Sequence, residues 1–210
     1  MSTSYPGFTY CFGVFSRLCE RNRLSHVQHD SQNGPTFSLI ALYLLIAAVF
    51  VTVLFILPID GPYSFSTSND SSAHLDFIRV FVESGTYSTL HVSQDVNLVP
   101  LSGFYPAAYH VFCAALTALP GCTVTMASNI AVVVICGAVY PLGSLLVCSR
   151  LFGSRALETR VGALACVGNA GFPWAFLVWG QLASNLLAFA LVPAFVFLFW
   201  ELLFPLENRS

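Results

Sequence analysis

Apolar positions fill three long stretches of the chain that carry no charged side chain. Residues 31–59, 96–149 and 161–200 form uncharged runs of 29, 54 and 40 residues. A membrane-crossing helix needs about 20 mostly apolar residues, so the first run holds one crossing and each of the others a pair. Proline and glycine divide these runs into five predicted spans. Span 37–57 is opened by Gly34-Pro35 and closed by Pro58, and span 104–119 starts around Pro106, a first-turn proline, and stops at Pro120-Gly121. Spans 124–147, 161–179 and 182–200 follow, the fourth interrupted by Gly168, Gly171 and Pro173 and the fifth containing Asn185 and Pro193. Such breakers are tolerated in a bundle whose neighbouring helices satisfy the freed backbone groups. The predicted fold class is therefore all-α, a polytopic transmembrane bundle of about five spans over residues 37–204. Residues 1–36 form a tail before it, and residues 205–210 a short tail after it.

The polar positions gather in the one sizeable loop, 58–103. Within it, Ala73–Glu83 reads as an amphipathic helix, with Leu75, Phe77, Ile78, Phe81 and Val82 on one side and Asp76, Arg79 and Glu83 on the other. Such a helix is expected to lie along the membrane surface. Asp70, Ser71 and Ser72 are its candidate N-caps. His74 falls in the middle of the apolar face, facing the bundle.

Composition agrees with a membrane protein and excludes several function classes. Charged residues make up 9% of the chain, against about 25% in an ordinary soluble domain. The formal net charge is −2, with eight arginines, no lysine and no basic run to grip a polyanion, so nucleic acid is not an expected partner. The seven cysteines (11, 19, 113, 122, 136, 148 and 166) include no CxxC pair and none lies in the loop, so they read as small packing residues. The long segment before the first apolar run reads as a cytoplasmic tail leading into a signal-anchor helix, not as a cleavable signal peptide.

Charge signs give an orientation. Arg17, Arg21 and Arg23 precede the first span and place the N-terminus in the cytoplasm of a multi-pass cell-membrane protein. The 58–103 loop is then external, with five acidic residues against Arg79. Five crossings, however, also place Arg150, Arg155 and Arg160 outside, against the positive-inside tendency. Either the short second span does not fully cross, or those arginines are external for a reason.

The candidate chemistry lies at the external boundary. Asp70 is either an N-cap or a general base; His74 is either a hydrogen-bonded structural residue or a group that positions a phosphate or sugar hydroxyl. His110, one turn into the second span, and Asn185 are expected at the same level, since polar groups in spans face the bundle interior. No HExxH or comparable spacing points to a zinc site, and no dedicated cofactor is expected. A loosely held Mg²⁺ or Mn²⁺ assisting a phosphate leaving group remains open.

The segments Asn69-Asp70-Ser71-Ser72-Ala73-His74 and Phe104-Tyr105-Pro106-Ala107-Ala108-Tyr109-His110 resemble the opening of a group of large actinobacterial multi-pass proteins of uncharacterised function. Asn129, Tyr140-Pro141-Leu142-Gly143, Arg150-Leu151-Phe152-Gly153 and Phe172-Pro173 through Asn185 and Pro193 continue the similarity. That group in turn resembles the membrane-embedded GT-C type glycosyltransferases, which move a sugar from a polyprenyl-phosphate donor to an extracytoplasmic acceptor. The resemblance implies Asp70 as catalytic base, Ala73–Glu83 as the surface helix, and His74 and His110 as site-lining residues, on which Asn185, at the same membrane level, is expected to converge. It also implies that Arg150 and Arg155, with Arg160, bind the lipid phosphate, a role suited to the guanidinium fork. GT-C proteins normally have ten or more spans, so the resemblance covers an N-terminal half and implies a second half or second membrane subunit as partner. The competing expectation is a non-enzymatic multi-pass protein, a transporter subunit or assembly partner, in which Asp70 only caps a helix.

Overall fold

The computed structural model describes residues 34–65, 70–90, 105–178 and 182–203, and every element among them is helical. The first helix, α1 (Phe37–Val51), continues through a π-helical turn at Thr52–Ile56. The amphipathic α2 (Ser71–Ser84) and the short α3 (Ala108–Leu116) follow. Helix α4 (Val124–Val134) runs through a second π-helical turn at Ile135–Val139 into α5 (Tyr140–Phe152). Helices α6 (Leu157–Val167), α7 (Trp174–Val178) and α8 (Ala183–Leu203) complete the bundle.

Three helical stretches are long and apolar enough to cross a membrane: Phe37–Ile56, Val124–Phe152 and Ala183–Leu203. They coincide with the first, third and fifth sequence-predicted spans. The other two predicted spans take a different form. Among the described residues of 104–119, only the nine of α3 are helical. At 1.5 Å per residue they cover about 14 Å, roughly half a bilayer's hydrocarbon core. In 161–179 the helix stops at Gly168 and restarts at Trp174, so Gly168–Pro173 breaks it into α6 and α7.

Contacts between elements define two ends of the bundle. At one end, the Tyr43 hydroxyl on the second turn of α1 donates to the Thr159 carbonyl on α6, 2.7 Å away. Nearby, Arg150 near the end of α5 pairs with Glu201 near the end of α8, Nε to Oε1 at 2.6 Å, and lies 5.9 Å from the Trp200 ring. At the opposite end, Asn129, midway along α4, donates through Nδ2 to the carbonyls of Pro62 and Ser64, which follow α1. There too the Ser184 hydroxyl, at the start of α8, donates to the Pro106 carbonyl preceding α3. Helices α1, α4–α5 and α8 therefore each run from one end to the other, and the α6–α7 pair returns the chain from the arginine end to the start of α8.

Small residues allow the close approaches. A Cβ at Gly162 would stand 2.5 Å from the Tyr43 hydroxyl and 2.9 Å from Cys148 Sγ. Helix α2 docks with its apolar face onto α3 and α4 instead of onto lipid. Phe77, Ile78 and Phe81 are buried there, while Asp76, Arg79 and Glu83 stay exposed. Gly85, in the left-handed conformation at φ 67°, ends α2 by donating its N–H to the Phe81 carbonyl.

Candidate functional site

Helix α2 starts at Asp70, which occupies the N-cap position yet makes no side-chain capping bond and is exposed. One turn on, His74 leans toward the helix N-terminus, as helical side chains do, and is buried against α3. Its Nδ1 lies 2.9 Å from Nε2 of His110, which is fully buried on the first turn of α3. The two imidazoles stack, with centroids 5.1 Å apart.

Aromatic rings wall the pair. Phe77 and Tyr109 stand edge-on to His110 at 5.2 and 5.5 Å, and Tyr105 lies 5.6 Å from it. The Tyr109 hydroxyl bonds Ser128 on α4, 2.9 Å from its Oγ. Tyr105 links the pair to both flanks, because its phenol interacts with the Ser184 side chain and feels the Asp70 carboxylate. Burial raises the Tyr105 pKa, the Ser184 hydrogen bond opposes that, and Asp70 adds to it. Burial, and behind it the neighbouring His74, push the His110 imidazole down to about 3. His110 Nδ1 has no hydrogen-bond partner among the described residues.

The structure thus brings Asp70, His74 and His110 to one end of the bundle and adds residues the sequence reading did not single out as site members: Tyr105, Tyr109, Ser128 and Ser184. Asn185 sits at the same level but is exposed on the first turn of α8. Arg150 and Arg155 do not join this site. Arg150 is engaged with Glu201 at the other end, and Arg155 follows α5 there, exposed. One continuous helical stretch, Val124–Phe152, lies between these arginines and the end that holds Asp70 and the histidines. Among the described residues no three His, Cys, Asp or Glu side chains gather into a metal-binding group. His91, Asp95 and the N-terminal arginines lie outside the described residues.

A family model covering residues 7–210 matches almost the whole chain. The chain belongs to DUF6541, a family of unknown function. No curated protein and no solved structure matches it. Family membership therefore assigns no reaction.

Proposed function

We propose that this chain is a multi-pass protein of the cell membrane whose Asp70 end faces away from the cytoplasm and acts in GT-C-like sugar transfer from a lipid phosphate. The orientation rests on charge. With α1, α4–α5, the broken α6–α7 pair and α8 as four passes, Arg150, Arg155 and Arg160 fall on the same side as Arg17, Arg21 and Arg23. All six then obey the positive-inside tendency, and the N-terminus is cytoplasmic. The acidic segment with Asp60, Asp70, Asp76 and Glu83 falls on the opposite side.

One observation carries the catalytic reading: Asp70 stands at a helix start with no side-chain capping bond, exposed, at the end of the bundle that holds the His74–His110 pair. A carboxylate there suits a general base. The acceptor hydroxyl gives its proton to Asp70 as its oxygen bonds the sugar's anomeric carbon. The bond from that carbon to the phosphate oxygen breaks, and polyprenyl phosphate leaves as the anion. General-base assistance of this kind contributes about 10²–10⁴ in rate.

Transfer is measured in membranes carrying the full chain and each of a set of radiolabelled polyprenyl-phosphate sugars, alongside Asp70→Asn at matched expression. The reading expects a donor-dependent transfer that falls at least about 100-fold in the variant. Transfer equal in the two proteins, or no transfer with any donor in membranes that also supply the second membrane subunit the resemblance implies, refutes it in favour of a non-enzymatic assembly partner.

A further inference from the structure

The direction of the His74–His110 hydrogen bond can be argued from the burial of the atoms around it. Two neutral imidazoles 2.9 Å apart share one proton across the contact. If His74 donated through Nδ1–H, His110 would accept at Nε2 and carry its own proton on Nδ1. That atom is buried and has no partner among the described residues, and an orphaned buried N–H donor costs about 1–3 kcal/mol. The reverse arrangement leaves only an unused lone pair at His110 Nδ1, the lesser penalty. We propose that His110 donates through Nε2–H to His74 Nδ1 and thereby holds His74 as a neutral ring protonated at Nε2.

This gives His110 a positioning role at the site, one that rests on the sugar-transfer reading for its purpose. Asp70, the N-cap of α2, precedes His74 by four residues, about one helical turn. A His74 cation would stabilise the Asp70 carboxylate and weaken it as a base. Because His74 Nδ1 already accepts the His110 proton, protonating it breaks the bond or forces His110 into the orphaned tautomer. The pair therefore keeps positive charge away from Asp70 as the pH falls. The other titratable groups around the pair among the described residues are Tyr105, Tyr109 and Cys113. Beyond Tyr109 and Tyr105, helices α4 and α8 contribute Ser128 and Ser184, which do not titrate.

The test is ¹⁵N NMR of the full chain, labelled at histidine, in lipid nanodiscs from pH 8 to pH 5. The proposal expects two rings in the Nε2–H tautomer, unchanged over that range, with a through-hydrogen-bond coupling between one Nε2 and the other ring's Nδ1. In His110→Phe the through-hydrogen-bond coupling is lost and His74 is no longer held in the Nε2–H tautomer. An Nδ1–H tautomer in either coupled ring, no such coupling, or a protonated pair at pH 7 overturns the proposal, and the wild-type spectra decide it even if the variant fails to fold. The predicted spectra with an Asp70→Asn variant that still transfers sugar defeat the transferase reading alone.

Discussion

Acid should destabilise this protein through His110, and the size of the effect follows from its burial. An ordinary imidazole, as in the unfolded chain, takes up a proton near pH 6.5, whereas the folded His110 does so only at about 3. Because the folded value is depressed below the unfolded one, the unfolded state binds the proton first. Stability is full above pH 6.5 and falls as the pH drops, until the folded ring also protonates near 3. At pH 5 the linkage cost is about 2 kcal/mol. Enclosure by Phe77, Tyr105, Tyr109 and His74 is the physical source. Thermal unfolding in detergent micelles, followed by tryptophan fluorescence at pH 7.5 and pH 5.0, measures it. His110→Phe starts less stable at pH 7.5 but loses clearly less than wild type between the two pH values. An equal loss in both proteins refutes the assignment of the acid sensitivity to this ring.

Two packing predictions concern the arginine end. Gly162→Ala places a methyl against the Tyr43 hydroxyl and Cys148 and should cost about 1–3 kcal/mol. Adding Tyr43→Phe should recover part of that loss, a non-additivity readable in unfolding midpoints; strict additivity contradicts the close approach. Glu201→Gln removes the carboxylate from a partly buried pair with Arg150, between the exposed and fully buried cases. A loss of about 1–3 kcal/mol is expected in the same unfolding assay, and no change in midpoint counts against the pair. The exposed Arg79–Glu83 pair on α2, by contrast, contributes little.

Much of the architecture is legible in the sequence because uncharged length is a direct signal of a spanning helix. Helices α1, α4–α5 and α8 follow from it, and the period of Leu75, Phe77, Ile78 and Phe81 places α2 within two residues of its start. What hydropathy does not distinguish is burial by lipid from burial by protein. Helix α3 is apolar because α2, α4 and α8 cover it, so its sequence resembles a span although the helix is too short for one. Counting it as a pass reverses every later loop, which is why the arginines of residues 150–160 appear external and eligible for a phosphate. His74 stands out as a polar residue on an apolar face, and its partner His110 as a polar residue in an apolar run. Tyr105 and Tyr109 carry no such mark, since an aromatic in a hydrophobic stretch looks like ordinary core. Their link to the site depends on a close approach between α2 and α3, which spacing along the chain does not encode.

The central claim is that the Asp70–His74–His110 end and the arginine end lie on opposite sides of the membrane. Sandwich insertion of a compartment-sensitive reporter after residues 90, 121, 155 and 203 in the full chain measures this directly. The account predicts that 90 and 121 report the extracytoplasmic side and that 155 and 203 report the cytoplasm. Opposite sides for 90 and 121, with 155 extracytoplasmic, would mean that α3 crosses the membrane, contradicting the two-ended arrangement.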